Sequence, residues 1–541
     1  MTSSTSKLDY QIGWDGQTIS ANLIALDTET HAIDHRQPTH IPKLVLMSVF
    51  VLNKQHPNGK GWVLPSQQVE GWLDAHQDET WVFHNVAFDL QVLTNHLKSA
   101  PLKQKIWQKI EDYQVRDSMI LKGLLDIATQ GVAAKNGFQS LEDVINDLEL
   151  SKQAQLDKVS DAKYRANYAS IDGDDLHNVF DEDPNWLDYA VRDARACLLA
   201  YRLTCQKIKK RGLFNPEKAR KWGVLTEKLK VMAAVALDQV CRQGIAVDLD
   251  YKERAKADLE TEVLRLNQEL GELLPISGDH PYSYLKQDNK GQFLKTENGG
   301  YRVRKNDFFQ QMDLKMKRNP KTSDYQTPLT DKRSLKTSAD SWTQFRFVEP
   351  ALDCVISLDE KITSLGFLNN QHNQKPRAHP KYSFLVQTGR TSSSQPNIQG
   401  VPRDDLLRNL YQATEGHLLI ASDYSQLELA ALAQICLGKF GFSKLAEVIN
   451  QNLDPHKYTA RKMMDCATED FEGREDKDEL RQKAKAVNFG IPGGMGAPAL
   501  SQYAASQYNV QMTVDEAKKW LDTYCSSIYP EVGMFRQEAE L

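Results

Sequence analysis

The chain has 541 residues, which suggests three or four domains, and its 40% hydrophobic residues are enough to bury large cores. A formal net charge of -5 excludes a uniformly basic nucleic-acid binder, so any surface for polyanions must be local. The seven cysteines are scattered with no C-x-x-C pair, which argues against a zinc site or a disulfide framework and fits a reducing cytoplasm, the expected location. No apolar stretch is long enough to span a membrane, MTSSTSKLDY does not read as a signal or transit peptide, and no internal repeat is expected.

Residues 1–20 are polar and expected to be loose. The first strand, Asn22 to Leu26, runs into Asp27-Thr28-Glu29. Alternation along a strand puts Asp27 and Glu29 on one face, where two carboxylates repel unless a cation sits between them. A second strand, Trp81-Val82-Phe83, leads into His84-Asn85-Val86-Ala87-Phe88-Asp89, with Asn85 and Asp89 four apart at a helix start. Asp188 to Asp193 opens an alanine- and leucine-rich helix in which Tyr189 and Asp193 are again four apart. Each cluster alone reads equally well as solvated acids. Together and in this order, DTE, HNVAFD and YAVRD resemble the three motifs of the DEDD 3′–5′ exonuclease family. The resemblance implies an RNase H-like α/β domain over residues 21–205. It implies two divalent metals held by Asp27, Glu29, Asp89 and Asp193, with Tyr189 orienting the attacking water. It also implies that Asn85 and Phe88 hold a single-stranded DNA end.

Residues 206–245 read as helical, with a long run from Glu227 that Gly244 ends. A second helix is expected from Tyr251 to Leu274. Residues 281–336 change character: thirteen basic and six acidic residues give +7, with aromatics such as Tyr282, Tyr284, Tyr301, Phe308 and Phe309 interleaved. This stretch is either a solvated basic loop, a grip on duplex DNA through its phosphates, or an insertion that docks a partner. Helical pattern resumes near Ser341 and runs to about Asn369, carrying Lys361. A Gly/Ser/Pro/Asn loop follows at Thr388 to Pro402.

Leu418-Leu419-Ile420-Ala421 is short and apolar enough for a buried strand, and it delivers Asp423 to a strand-to-helix corner with Glu428 on the following helix. A carboxylate so placed can bind Mg2+, which takes one or two carboxylates and completes its shell with water and substrate phosphates. Arg481, Lys485 and Phe489 share one face of a helix expected over 479–491, a line of two cations and a ring suited to a triphosphate and a base.

DYSQLELAALA, TGRTSSSQPNIQGVP, Asp454-Pro455-His456 and R-x-x-x-K-x-x-x-F-G resemble the motifs of family A (Pol I type) DNA polymerases. The resemblance, phage-like in having no upstream nuclease domain, implies a right-hand fold after the exonuclease: linker and thumb over 206–345, palm over 346–450 and fingers over 451–541. It implies Asp423 as a metal ligand and Glu428 as a ribose 2′-hydroxyl filter. It gives His456, Arg481, Lys485 and Phe489 to the dNTP, with Phe489 selecting for a 3′-hydroxyl, and gives Arg390, Asn397 and Gln399 to the primer–template minor groove. Mg2+ is the implied cofactor, two ions per site, with Mn2+ able to substitute.

Two departures stand out. Pro492-Gly493-Gly494 follows the fingers helix where the family has a tyrosine, and Pro492 should end that helix early. The family's His-Asp-Glu palm triplet is absent from this sequence. The expectation is therefore a multidomain α/β chain in which a 3′–5′ exonuclease precedes a partial polymerase. Synthesis would need a C-terminal part, for instance from a separate chain. A stand-alone exonuclease with a DNA-holding polymerase remnant is the alternative.

Overall fold

A computed structural model describes residues 8–540 except 35–36, 38, 151–163, 165–166, 215–222, 275–281, 297–298, 319–326, 331 and 403–404. The chain divides into two units. One comprises Met1–Val247 and Lys375–Asp404, the other Asp248–Gln374 and Asp405–Leu541.

The first unit is built on a six-stranded mixed sheet: β1 (Tyr10–Ile12), β2 (Leu23–Thr30), β3 (Leu44–Val51), β4 (Lys60–Pro65), β5 (Thr80–Phe83) and β6 (Val115–Asp117), in the order β1-β4-β3-β2-β5-β6. Strands β2, β3 and β4 pair antiparallel, while β2, β5 and β6 run parallel. All eight residues of β3 are buried, as a strand covered on both faces requires. Helix Asn185–Lys210 packs across β2 and β3, where the Ser48 hydroxyl donates to Ala190 O at 2.8 Å. The N-terminal stretch is not loose throughout. Tyr10–Ile12 pairs parallel with β4, and Ile19 is buried with its N–H donated to His76 Nε2; Met1 to Lys7 lie outside the described residues. Helix Glu227–Gln243 starts at Glu227 and is ended by Gly244 as expected, and the helix before it ends at Lys210; of the stretch 206–245 read as helical, residues 215–222 lie outside the described residues.

In the second unit, helix Leu249–Leu273, capped by Asp248, packs along helix Pro350–Leu368. Within residues 284–296 and 299–304, three strand-like segments form a small closed unit. Lys286 N–H bonds to Arg302 O, Arg302 N–H to Leu294 O, and Leu294 N–H to Lys286 O, so each segment pairs with both others. The pairing exposes a short repeat that the sequence reading did not expect. Tyr284-Leu285-Lys286 and Phe293-Leu294-Lys295 each lead to a turn closed by a glycine, Gly291 at φ 78° and Gly299 at φ 74°. Helix Lys305–Arg318 follows. Beneath lies an aromatic stack: Tyr284, Phe308, Phe309 and Trp342 are fully buried, with successive ring centroids 5.6, 5.1 and 5.2 Å apart.

The C-terminal part of this unit is helical and shares one apolar cluster from Leu429 to Val532. The helix expected over 479–491 spans Lys477–Gly490 and gives way to a turn at Pro492–Gly494, as the proline requires. The expected strand at Leu418–Ala421 does not form. These residues take no regular secondary structure and make no backbone hydrogen bond among the described residues, and Leu418, Leu419 and Ile420 are 88, 60 and 90% exposed. A strand exists only by pairing, and no neighbour is there among the described residues to supply it.

Candidate active site

Strand β2 carries Asp27 and Glu29 two residues apart, and helix Asn185–Lys210 crosses it with Asp193. One carboxylate oxygen from each of the three lies within 4.8 Å of the others. Burial, with Asp27 and Asp193 alongside, pushes the Glu29 carboxyl well above the ordinary range, eased by the nearby Tyr168 hydroxyl. Three acids drawn together, one of them desolvated, fit a divalent cation with oxygen ligands. The Tyr189 hydroxyl hydrogen-bonds to Asp193, and burial and that carboxylate raise its pKa.

Asp89 is buried beside this group but outside the tight cluster. Its Oδ1 accepts from the Thr28 hydroxyl at 2.6 Å and from Thr28 N–H at 3.2 Å. Burial lifts its carboxyl to about 7 against those two bonds. Asn85 does not share a helix face with it as expected. Asn85 is the exposed N-cap of helix Val86–His96, at φ 71°, and Phe88 sits half-buried on the first turn.

Four residues that the sequence reading passed over shape this site. Thr28 is one and Tyr168 another; the Tyr168 hydroxyl donates to Trp186 O at 2.8 Å. Asp117 caps helix Ser118–Gln130 through Ile120 N–H at 2.8 Å and also takes Val86 N–H at 2.6 Å, so one buried carboxylate holds two helix starts. An aspartate at a strand end before a helix is a readable cap; its second bond is not. His84 is braced by Ser118 Oγ at 2.8 Å and Gln139 O at 3.0 Å, fixing the residue before Asn85.

The loop 388–402 belongs to the first unit. Ser392–Ser394 pairs antiparallel with Lys381–Ser383. Asn397 Oδ1 accepts from Gly400 N–H and from the Ser393 hydroxyl, both at 3.0 Å, and the Gln399 amide donates to Thr391 Oγ1 at 2.8 Å. Arg390 is exposed on the same loop.

In the second unit, Asp423 lies on the exposed irregular stretch and Glu428 at the exposed start of helix Leu427–Phe440. Asp423 joins no carboxylate cluster among the described residues. Arg481, Lys485, Phe489 and His456 do converge. Arg481 forks onto Asp454 Oδ2 at 2.8 and 2.9 Å, the Phe489 ring stands 5.5 Å from that of His456, and Lys485 Nζ lies 5.7 Å from the Tyr508 ring. His456 is buried, its Nδ1 bonded to the Asn488 amide at 2.8 Å, and burial depresses its pKa to about 4. It is therefore a neutral imidazole at physiological pH and a hydrogen-bonding group there, not a cation.

A family model described as DNA polymerase family A matches residues 305–540, a little under half of the chain. Over that stretch the chain is similar to family A DNA polymerases. It is 32% identical over 193 residues to DNA polymerase I of Aquifex aeolicus, covering 35% of this chain and 32% of that protein. It is 30% identical over 300 residues to the thermostable DNA polymerase I of Thermus aquaticus, covering 53% of this chain and 31% of that protein. It is 28% identical over 314 residues to DNA polymerase I of Bacillus subtilis, covering 56% and 31%. The chain thus spans about a third of the length of these relatives. Among solved structures, it resembles the POL domain of Pol1 from M. smegmatis in complex with DNA primer-template and dNTP. The TM-score is 0.56 at 16% identity, covering 95% of this chain and 74% of that one, a likeness of fold. No helix among the described residues is long and apolar enough to cross a membrane.

Proposed function

We propose that this chain is a DNA-directed DNA polymerase of the family A type with a 3′–5′ exonuclease, acting on primer–template DNA and dNTPs. The observation that carries the exonuclease is the convergence of Asp27, Glu29 and Asp193 within 4.8 Å. The order of the sheet, antiparallel β4-β3-β2 continued by parallel β5 and β6, supports an RNase H-like reading of residues 21–205. Mg2+ or Mn2+ bound by these carboxylates, with Asp89 beside them, would activate a water and stabilise charge on the attacked phosphate. Tyr189, held to Asp193, orients that water. Asn85 and Phe88, at the start of their helix, face the single-stranded end.

The polymerase half rests on the family match and on the grouping of Arg481, Lys485, Phe489 and His456 along one helix and its neighbour. Arg481 and Lys485 neutralise the triphosphate, while neutral His456 donates a hydrogen bond to it. Phe489 selects for the 3′-hydroxyl and Glu428 against the 2′-hydroxyl. Arg390, Asn397 and Gln399 sense the minor groove, and Asp423 would hold a divalent metal. A separate chain that supplies a second carboxylate beside Asp423 is part of this proposal, because Asp423 stands in no carboxylate cluster among the described residues. The same observation favours a second reading, an exonuclease whose polymerase region only holds DNA.

A 5′-labelled primer–template with Mg2+, with and without dNTPs, separates them. Shortening without dNTPs that disappears in Asp27→Ala establishes the exonuclease. Lengthening with dNTPs that disappears in Asp423→Ala establishes synthesis. Shortening alone under both conditions shows that this chain by itself does not synthesise; lengthening on addition of a separate chain carrying the second carboxylate then selects the first reading and its failure the second, while no change in either condition discards both.

A further inference from the structure

Helix Glu227–Gln243 touches two elements of the first unit that the proposed function gives to DNA. One is helix Val86–His96, which carries Phe88 and Asp89; there the Gln91 amide donates to Asp238 Oδ2 at 2.7 Å. The other is the segment 377–389 that leads into the loop of Arg390. It is tied to the end of the helix by Arg377 Nη1, which donates to Gln243 O at 2.8 Å, and by His379 Nδ1, which bonds to Cys241 O at 2.9 Å. It is tied near the start by Lys230 Nζ, which donates to Gly389 O at 3.0 Å. Lys230 and Cys241 are eleven residues apart, about 17 Å along a helix. Between these ties Phe384 and Leu385 are buried in the apolar core of the sheet domain. The seat is close-packed, since a methyl group on Gly123 would come within 2.8 Å of Leu385 Cδ1.

Lys230 is the unexpected member of this set. It is 6% exposed, and its one bond among the described residues is the one to Gly389 O. A buried ammonium that meets a single carbonyl recovers little of its lost hydration. Burial lowers its pKa accordingly. A methionine would fill the same space at less cost, so the ammonium does not serve the fold. What it fixes is the loop, because the Gly389 carbonyl belongs to the planar peptide unit shared with Arg390. We infer that Lys230 is a positioning residue that sets Arg390 against the primer–template minor groove from a helix shared with the exonuclease. The inference rests on the reading of Arg390 as a minor-groove residue.

The test is equilibrium binding in EDTA of the full chain to two fluorescent primer–templates, one ending in adenine and one in 3-deazaadenine, which lacks the minor-groove acceptor. Shortening of a single strand in Mg2+ is measured alongside. Wild type is expected to prefer the adenine end severalfold and Arg390→Ala to lose that preference. Lys230→Met is expected to lose most of it with single-strand shortening unchanged, and Lys230→Arg, which keeps a charged donor, to recover it. Melting temperatures establish that the variants are folded, and Lys230→Leu reads the same preference if the methionine variant is not. A preference lost in Arg390→Ala but kept in Lys230→Met overturns the inference and leaves the reading of the loop intact. Loss of single-strand shortening together with the preference also overturns it, as a general disturbance of the unit. A preference absent from wild type, or kept in Arg390→Ala, overturns the reading of the loop and this inference with it.

Discussion

The Thr28 hydroxyl and amide both point at Asp89 Oδ1, at 2.6 and 3.2 Å, so the central residue of the first acidic motif holds the acid of the second. Thr28 would act on the proposed exonuclease site through Asp89, which makes it a positioning residue. Thr28→Val keeps the shape and removes the hydroxyl donor. Exonuclease rate should drop roughly tenfold, in line with the loss of a group that orients a metal-site ligand. The Mg2+ concentration for half-maximal rate should rise, and Thr28→Ser should restore both. Unchanged Mg2+ dependence in the valine variant would reduce Thr28 to a packing role.

Asp117 serves two helix starts at once, through Ile120 N–H and Val86 N–H. Asp117→Ala leaves both buried donors without that acceptor. The expected loss is about 2–4 kcal/mol, measured by denaturant unfolding. Asp117→Asn, whose amide oxygen accepts only part of the same pattern, should fall between.

Glu227 opens helix Glu227–Gln243 and sits buried against the sheet. Its Oε2 accepts from Tyr113 at 2.6 Å and Tyr201 at 3.3 Å, while Arg116 stands off at 3.9 Å. Burial outweighs these partners and raises the carboxyl to about 7. The folded state therefore holds a proton that the unfolded chain releases near its ordinary pKa of about 4.5. Between those two values the folded form binds more protons, so stability is greatest at the acid end and falls as pH rises. The fall should be of order 3 kcal/mol by about pH 7. Glu227→Gln should lose this fall, so that the unfolding curves of the two proteins separate at pH 8 and converge near pH 5. Parallel pH profiles would mean the site is better solvated than its burial suggests.

Asn488 fixes the ring of His456 through Nδ1, and the same amide reaches Pro455 O at 3.3 Å. With His456 depressed to about 4, the dNTP binding proposed for this site should carry no step from its protonation between pH 5.5 and 8. Asn488→Ala frees the ring. It should raise the dNTP Kd severalfold, measured by binding of a nonhydrolysable analogue, with the melting temperature reported alongside. A larger rise at low pH than at high pH would show that the freed His456 has become a cation.

What could be read from the sequence follows the range of the interactions. Asp27 and Glu29 were legible because a strand of period two puts them on one face, and Tyr189 with Asp193 because a helix does the same at four residues. The bonds that organise them were not: Thr28 meets Asp89 across 61 positions, and Val86 meets Asp117 across 31. Asp454–Pro455–His456 and the Arg481 helix were recognised as separate motifs, but the Asp454–Arg481 pair joining them appears only in three dimensions. Leu418–Ala421 has the composition of a strand and fails to be one, since pairing is a property of two segments and sequence pattern describes one. Local patterning did locate the basic stretch. It missed the repeat inside, which is only about eight residues long and carries its register in two turn glycines.

The closed triangle of segments at 284–304 also answers a problem of self-association. A strand with an open side offers its N–H and C=O groups to any passing chain, and natural sheets hide or charge such sides. Here each segment spends both sides on its two siblings, so a polar excursion stays folded without exposing an edge to other molecules. Leu418–Ile420 is the opposite case: apolar, exposed and without a backbone hydrogen bond among the described residues. At high protein concentration this stretch, not the basic excursion, is where chains would first adhere to one another.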